Sequence, residues 1–541
     1  MAAQSLGYHC RGGRASIQPI DAGGRPHKLL MKLQTRAQPD QADVSMEAAP
    51  PESGRFGAWR TPLAPSLAVL FVGSAVLALW FLLAPLRGSG PYYRAVLNRT
   101  TYGFGRQTLV MFVPYGVVLL AWRRGSRVPL KVLLGGAVAL HLLLLFAPAP
   151  QSQDFYQYLF YGRMQAAYHA NPYVVHPSVF WLDGWYGMFT WPNQTSVYGP
   201  VWSLLSFGVA KAAGPNLPVA VALMKLAVFA MDLAVIWCIL ALAKDRPDRE
   251  AAAGWGLLAY AWNPLVLLAV PLGGLADVAV AASILGAMVA HRRGRTWLAT
   301  LLLTAGALVK VYALVALLLY LVLLLRKRGR ARAGGHALLA GGLGALTFAP
   351  YWAGLRTFRA LLDVANRSNK SLSGTVQRVL VMVFRFVGVS AARDDAAAVV
   401  RWMVTPILIL AVVWAVRRVR SEDDVWFGTL AVLTLYVLVT PWYLFWYLVA
   451  PIAMVAAVRH NRLTAPVLTF SGTTFVVIQF PPWLAGMAVQ ALARYVPPLA
   501  VFRSEVRRDR DGLPGTTVPA VKTGPYRVRA GADLGRFVPL V

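Results

Sequence analysis

The sequence has 541 residues, of which 57% are hydrophobic and only 14% are charged, and its mean hydropathy is +0.53. Soluble domains carry roughly 25% charged residues, so this composition excludes an ordinary soluble domain. Apolar runs near the roughly 20 residues that cross a bilayer recur along most of the chain, which also excludes a single anchor or a signal peptide. The sequence predicts an all-α, multi-pass integral membrane protein, and we expect it in the plasma membrane.

The net charge is +31, from 53 Lys and Arg against 22 Asp and Glu. In a soluble protein this balance would suggest a nucleic-acid partner. Here the basic residues form short clusters between apolar runs, at 123–131, 292–295, 326–332, 417–420 and 459–462. Such clusters mark cytoplasmic loops, so the charge indicates membrane orientation and we expect no nucleic acid.

The two cysteines lie in regions of different character, Cys10 in a polar segment and Cys238 in an apolar run. No group of Cys and His residues has the spacing of a metal site. We therefore expect neither a disulfide nor a metal, and the sequence points to no cofactor.

The predicted organisation is a disordered, basic N-terminal tail at 1–60, a transmembrane domain at 61–500 and a polar, basic C-terminal tail at 501–541. The transmembrane domain is predicted to contain about 12 helices, in the range of about 11 to 13. The segment 485–499 is either one more crossing or a surface helix, which leaves the side of the C-terminal tail open. The predicted spans lie near 62–86, 107–122, 132–149, 216–243, 251–271, 276–290, 296–325 (a hairpin of two short helices), 335–353, 396–416, 425–441, 443–458 and 463–481.

Two long segments are predicted to lie outside the membrane, a large first extracytoplasmic loop at 151–199 and a second outer loop at 354–395. The second loop departs from the charge rule because it is itself basic. It is either a phosphate-binding surface or a set of solvated charges near lipid headgroups. Its basic residues are Arg356, Arg359, Arg367, Lys370, Arg378 and Arg385.

The first outer loop contains the densest cluster of unusual residues, at 154–163, 171–173 and 198–200. On a helix, Asp154, Tyr158 and Tyr161 share one face. A carboxylate framed by aromatic rings at the outer end of a span is partly desolvated, which raises its pKa toward the range of a general base. Asp154 is therefore either a base that takes a proton from a hydroxyl or a helix cap within an aromatic belt. Asp183, in the same loop, is predicted to be a turn residue.

The order Asp, Tyr, Gly-Arg, Asn-Pro-Tyr and Tyr-x-Pro in this loop resembles the first outer loop of the GT-C superfamily of polyprenyl-phosphate-sugar-dependent glycosyltransferases. Bacterial alpha-mannosyltransferases and the catalytic subunit of GPI mannosyltransferase I are the most similar members. The segments 262–268 with 273–277, 308–310 and 441–446 also resemble elements of these enzymes, so the resemblance extends over roughly 60–480.

Two positions depart from the pattern of the superfamily. Leu275 and Ala276 replace the usual His-Asn before Asp277, which puts a role for Asp277 in question. The paired acidic motif of some relatives is here Asp154 preceded by Gln153, which argues against a bound metal.

The resemblance implies a GT-C-like bundle and an inverting transfer of a hexose, here mannose, from a polyprenyl-phosphate donor. The acceptor would be a lipid-linked or glycan-linked hydroxyl on the extracytoplasmic side, and Asp154 would deprotonate it as the catalytic base. The implied partners are the polyprenyl-phosphate sugar, a glycan or glycolipid acceptor and membrane lipids, without a nucleotide sugar. Substrate-binding roles are implied for Tyr158, Arg163, Asn171, Tyr173, Tyr198, Asp277 and Lys310. As basic residues of the second outer loop, Arg356 and Arg359 are also expected to bind substrate, at the donor phosphate.

Charges inside the predicted spans need partners, because each costs about 2.5 to 3.5 kcal/mol on insertion. Lys225 and Asp232 are seven residues apart on one helix face, and we expect a structural pair, direct or through a neighbour. Lys310, at the outer tip of the predicted hairpin, either contacts the donor phosphate or extends its ammonium group to the interface.

Two other functions are compatible with buried charges. One is that of a membrane transporter or lipid-linked glycan flippase, and the other is that of a glycan ligase. A transporter needs a continuous polar path, whereas a transferase needs its polar residues gathered at the outer face. A ligase uses similar groups, and only acceptor assays separate it from a hexosyltransferase.

Overall fold

A computed structural model describes residues 63–83, 110–147, 153–365, 367–369, 371–458, 461–475 and 484–510. The predicted tail 1–60 and residues 511–541 of the predicted C-terminal tail lie outside these ranges. The helices, numbered in chain order, are α1 Leu63–Leu83, α2 Val110–Arg123, α3 Leu130–Phe146, α4 Gln153–Tyr168, α5 Pro200–Ala213, α6 Leu217–Lys244, α7 Arg249–Ala259, α8 Pro264–Leu267, α9 Asp277–Arg292, α10 Thr296–Ala307, α11 Leu314–Arg328, α12 Arg330–Phe348, α13 Arg359–Ala365, α14 Leu372–Phe386, α15 Ala392–Arg418, α16 Glu422–Val439, α17 Val449–Ala457, α18 Thr464–Thr473 and α19 Leu484–Arg510.

The regular elements of the described residues are helices, which confirms the all-α prediction. Two of them, α6 and α15, are each long and apolar enough to cross a membrane. Two bent helix pairs also meet that test, α7 with Pro264–Leu272 and Arg330–Tyr351 with Gly354–Val364, which gives up to four candidate spans by length and composition. The shorter apolar helical stretches of the described residues, such as Ala64–Val76 and Leu130–Phe146, have 10–17 residues, so the larger number of spans stays a prediction.

The predicted span 251–271 is bent by 55° between α7 and the segment Pro264–Leu272. Pro264 lacks a backbone N–H, and the Asn263 side chain instead accepts a hydrogen bond from the Leu265 N–H at 2.9 Å, which starts a new helix. Asn263 is fully buried and also donates to Tyr115 and Ser471, each at 3.2 Å. This Asn-Pro motif is therefore a structural joint between α2, α8 and α18.

The predicted hairpin at 296–325 is a pair of helices, α10 and α11, with Lys310 in the turn between them. The backbone carbonyls just before Lys310 accept hydrogen bonds from the start of α5. Gly199 N–H donates to Val309 O at 2.9 Å, and Val201 N–H donates to Leu308 O at 3.1 Å. The hairpin turn is thus fixed to the end of the predicted first outer loop.

Lys225 and Asp232 do not form a direct pair, because α3 supplies the partners of both side chains. Lys225 donates to the Leu144 carbonyl at 3.1 Å and to the Ala147 carbonyl. Asp232 bonds to His141 Nδ1 and accepts from the Tyr260 hydroxyl at 2.8 Å.

The other ring nitrogen of His141, Nε2, donates to a backbone carbonyl, that of Ala261, at 2.8 Å. The contact between His141 Nδ1 and the carboxylate of Asp232 therefore contains one shared proton. The pair carries no net charge, which is how buried ionisable groups are tolerated in an apolar interior.

Candidate active site

A cavity of about 610 Å³ collects side chains from the two predicted outer loops, the α10–α11 turn and the helices α15 and α16. Its apolar lining residues include Leu361, Val364, Val404, Leu408 and Leu444. The residues that can do chemistry are Asp154, Gln157, Tyr198, Lys310, Tyr312, Arg367 and Arg401, and the aromatic residues include Trp191, Tyr436, Trp442, Trp446 and Tyr447.

Asp154 lies in the first turn of α4, where it is half-buried and lines the cavity. Tyr161 also lines the cavity, while Tyr158 of the same helix is buried outside the cavity lining. Burial raises the pKa of the Asp154 carboxyl above its ordinary value, although Lys310 and a hydrogen bond from the Tyr198 hydroxyl offset part of the rise. Asp154 thus has the environment of a carboxylate that can accept a proton.

The glycine of the Tyr-Gly-Arg motif explains how α4 is held in place. A Cβ on Gly162 would lie 2.0 Å from the Ser206 carbonyl of α5, so only glycine permits this approach of the two helices. The glycine of the Tyr-Gly-Pro motif has the same role, because a Cβ on Gly199 would lie 2.0 Å from the Leu308 carbonyl. These close contacts bring Asp154, Tyr198 and the Lys310 turn together.

Tyr198 is positioned by two residues that the sequence pattern assigned to substrate binding. The Tyr173 hydroxyl donates to the Tyr198 carbonyl at 2.7 Å. The Tyr158 ring packs edge-on against the Tyr198 ring, with centroids 4.6 Å apart and an interplanar angle of 84°. Both residues are buried outside the cavity lining, so they support Tyr198 from behind.

Lys310 and Asp277 form an ion pair at the edge of the cavity. Lys310 Nζ lies 2.6 Å from Asp277 Oδ2, and the Tyr312 hydroxyl donates to Asp277 Oδ1 at 2.5 Å. Asp277 is fully buried at the start of α9, where the helix dipole also favours a carboxylate. The ammonium group of Lys310 also lies 5.7 Å from the Tyr198 ring centroid.

The loop that precedes Asp277 contacts Phe155, the residue next to Asp154. Gly274 has a φ of +67°, and a Cβ there would lie 2.4 Å from the Phe155 ring. The chain therefore turns tightly against the residue that follows Asp154. Although Leu275 and Ala276 replace the usual His-Asn, Asp277 keeps a defined place beside Lys310.

Arg163 lies outside the cavity, in a network with other residues of the predicted first outer loop. Its Nε donates to Asp183 Oδ2 at 3.0 Å, and its Nη1 donates to the Gly214 carbonyl at 3.1 Å. Asp183 also accepts from the Tyr168 hydroxyl at 2.6 Å and from the Trp185 N–H at 2.8 Å, the second of which is a turn contact. Burial alone would raise the pKa of Asp183, but these hydrogen bonds outweigh it and lower the pKa.

Asn171, too, does not line the cavity. Its side-chain amide donates to the Tyr351 carbonyl at 2.9 Å, and its Oδ1 accepts from the Tyr173 N–H at 3.0 Å. The Asn-Pro-Tyr motif therefore joins the predicted first outer loop to the end of α12 and orients Tyr173.

Arg356 and Arg359 are exposed and do not line the cavity, whereas Arg367 and Arg401 do. Arg367 donates to Gln194 Oε1, and its guanidinium lies 5.2 Å from the Trp191 ring centroid. Sequence reasoning counted Arg367 only as one of several loop cations and did not single out Arg401. A signal for Arg401 existed, because it is the only charged residue in the apolar stretch 396–416.

Comparison with known proteins gives one family match. Residues 63–326 match the family model described as "Alpha-(1->6)-mannopyranosyltransferase, N-terminal domain", of the MptA/B family. This range contains Asp154, Tyr198, Asp277 and Lys310, while Arg367 and Arg401 lie beyond it. No curated protein and no solved structure matches the chain. Among the residues that the structure describes, no group of three or more His, Cys, Asp or Glu side chains is arranged to hold a metal ion.

Proposed function

We propose that the cavity around Asp154 is the active site of a polyprenyl-phosphate-mannose-dependent membrane mannosyltransferase, because residues 63–326 match the N-terminal domain model of the MptA/B family. The observation that carries the proposal is the convergence of Asp154, Tyr198 and the Lys310–Asp277 pair on one cavity. The mannose is transferred there to a glycan or glycolipid acceptor, on the extracytoplasmic side.

Asp154 acts as the general base in this proposal. The acceptor oxygen attacks C1 of the mannose, the bond from C1 to the donor phosphate oxygen breaks, and the acceptor proton moves to the Asp154 carboxylate. The polyprenyl phosphate leaves with the electron pair of the broken bond. The hydrogen bond from the Tyr198 hydroxyl holds the carboxylate in one orientation, which keeps it aligned with the acceptor.

The departing phosphate is stabilised by the basic side chains of the cavity. Lys310 uses one of its N–H groups for Asp277 and lines the cavity, so its other N–H groups can reach the phosphate. Arg367 and Arg401 line the same cavity as apolar side chains of α13 and α15. This combination of cations with an apolar surface suits a phosphate joined to a prenyl chain.

The acceptor sugar is proposed to contact Trp191 and Trp442. Both residues line the cavity, and their rings meet edge-on with centroids 5.8 Å apart. Indole rings present an apolar face together with an N–H donor, which suits a sugar ring that has both C–H and O–H surfaces. Arg367 lies over the Trp191 ring, so the acceptor and phosphate sites would adjoin.

Labelled polyprenyl-phosphate-mannose, supplied to membranes that contain the protein, tests the proposal. We expect labelled mannose in a glycan or glycolipid product, and loss of that product with Asp154→Asn. Transfer of an intact oligosaccharide from a lipid carrier would indicate a ligase instead. Movement of the labelled donor across vesicles without product would indicate a flippase, and either result would overturn the proposed transfer.

A further inference from the structure

A second cavity, of about 480 Å³, lies between α6, α9 and α10 and shares no lining residue with the proposed active site. Several residues that line this cavity have small side chains, which leave space inside it: Ala279, Ala282, Gly286 and Ala305. Its other surfaces are apolar along most of its length, with Leu298 and Leu302 from α10. We name this cavity the α9–α10 groove.

One end of the α9–α10 groove is strongly basic. Arg293 and Arg295, in the turn that joins α9 to α10, both line the groove and are both exposed. The Arg293 guanidinium lies 5.2 Å from the ring centroid of Trp237, which is 51% exposed at the rim. Arg292 differs from them, because it donates to the Leu242 carbonyl at 3.3 Å and does not line the groove.

The length of the groove matches one leaflet of a bilayer. Its lining follows α10 from Leu298 to Val309, past the end of this 12-residue helix. A helix of that length extends about 18 Å, while half of the hydrocarbon core is about 15 Å thick. A single acyl chain can therefore occupy the apolar part while its headgroup stays at the basic end.

We propose that the α9–α10 groove binds an anionic phospholipid, with an acyl chain in the groove and the phosphate on Arg293 and Arg295. Arginine pairs favour phosphate through charge-assisted hydrogen bonds, and basic pockets between membrane helices attract anionic headgroups. Trp237 covers the headgroup region as interfacial aromatic residues do. The proposal does not depend on the proposed catalytic roles.

The apolar end of the groove reaches the turn that holds Lys310. Val201 and Val309 line this end, and the backbones around them carry the hydrogen bonds of Gly199 to Val309 and of Val201 to Leu308. A bound acyl chain therefore packs against this junction. Lipid binding should stabilise the folded protein by mass action.

The test is native mass spectrometry of the full chain purified with dioleoylphosphatidylglycerol or dioleoylphosphatidylcholine. We expect the wild type to retain phosphatidylglycerol preferentially. Arg293→Gln with Arg295→Gln should weaken that retention about 10- to 30-fold, given the usual contribution of a basic residue near an anionic headgroup. The matched control is Arg417→Gln with Arg418→Gln, because Arg418 also lies over a tryptophan, 5.1 Å from the Trp414 ring centroid, outside the groove.

A second variant fills the groove without a change in charge. Ala282→Phe should reduce retention of either lipid and abolish the rise in melting temperature that phosphatidylglycerol causes in the wild type. Equal retention by the wild type and the Arg293/Arg295 variant would overturn the proposal. A dimer of the wild type that Ala282→Phe dissociates would overturn it as well, since a second copy would then occupy the groove.

Discussion

Lys310 and Asp277 are 33 positions apart in the sequence, yet their charged groups are 2.6 Å apart at the edge of the cavity. The carboxylate is completely buried, and the Tyr312 hydroxyl occupies its second oxygen. A buried pair of this kind is costly to break, because the partner left behind keeps an uncompensated charge.

This pairing predicts different effects on stability and on activity. Asp277→Asn should lower the free energy of unfolding by about 3 kcal/mol, since it leaves Lys310 charged without its partner. Asp277→Asn combined with Lys310→Gln should recover most of that stability but not the transferase activity. Thermal melting in detergent and mannose transfer would be measured on the same preparations.

Lys310→Arg serves as the charge-conserving control and should retain part of the activity. If Lys310→Gln alone left the kinetics of donor use unchanged, Lys310 would have no part in binding the phosphate. In that case its ammonium group would serve only to neutralise Asp277.

Asp154→Asn should abolish most of the transfer, because an amide keeps the size of the side chain but cannot accept a proton as a base. General-base assistance is worth about 10² to 10⁴ in rate, so we expect a loss of that order in kcat. Asp183→Asn is the control in the same loop, and it should change kcat much less because Asp183 binds Arg163 and Tyr168 outside the cavity. If Asp154→Asn transferred mannose at near the wild-type rate, Asp154 would not be the catalytic base.

The pH dependence of transfer is a second readout for Asp154. The base works only as a carboxylate, so kcat/KM should rise with pH through the pKa of Asp154. Because burial raises this pKa, the rise should lie at a higher pH than for an ordinary aspartate. A rate that stays constant down to the pKa of an exposed carboxyl group would contradict the role.

Gly199→Ala should reduce transfer strongly, because the added Cβ would lie 2.0 Å from the Leu308 carbonyl and push the Lys310 turn away from Tyr198. Gly208→Ala, nine residues further along in α5, is the matched control, since a Cβ there meets nothing within 4 Å. Alanine is favoured over glycine inside a helix, so this control should melt at the same or a higher temperature. Equal activity of both variants would show that the α5 contact does not position the site.

Two arginines that line the cavity and two exposed arginines of the predicted second outer loop allow a paired comparison. Arg367→Gln with Arg401→Gln should raise the KM for polyprenyl-phosphate-mannose about 10- to 100-fold, as expected for the loss of hydrogen bonds to a charged group. Arg356→Gln with Arg359→Gln removes the same charge from exposed positions outside the cavity and should change KM little. If the Arg356/Arg359 variant instead showed the larger increase in KM, the phosphate would bind at the loop surface.

The predicted topology can be tested by labelling intact cells. In a background without Cys10 and Cys238, cysteine at Val179 should react from outside and cysteine at Arg124 only after permeabilisation. Both positions are exposed, and Val179 is 63% exposed. The expectation follows from the charge asymmetry of the loops. Labelling of both cysteines from the same side would be incompatible with the predicted orientation.

The sequence by itself determined the class of protein and much of the local structure. Hydropathy and charge clusters predicted the helices and the α10–α11 pair around Lys310, since both are properties of short stretches of chain. The spacing of Asp154, Tyr158 and Tyr161 predicted their common helix face. The order of motifs, with its resemblance, indicated a mannosyltransferase, and residues 63–326 then matched the N-terminal domain model of the MptA/B family.

The tertiary structure decided which polar groups meet. The cost of a charge in an apolar helix shows that Lys225, Asp232 and Arg401 need favourable surroundings, but it does not identify them. Spacing suggested that Lys225 and Asp232 form a pair, direct or through a neighbour, whereas the packing of α3 against α6 gives each its own partner. In the same way, the loop cations look equivalent in sequence, and only the fold brings Arg367 to the cavity and leaves Arg356 on the surface. Helix formation depends on neighbours in the chain, while these contacts depend on how distant helices pack.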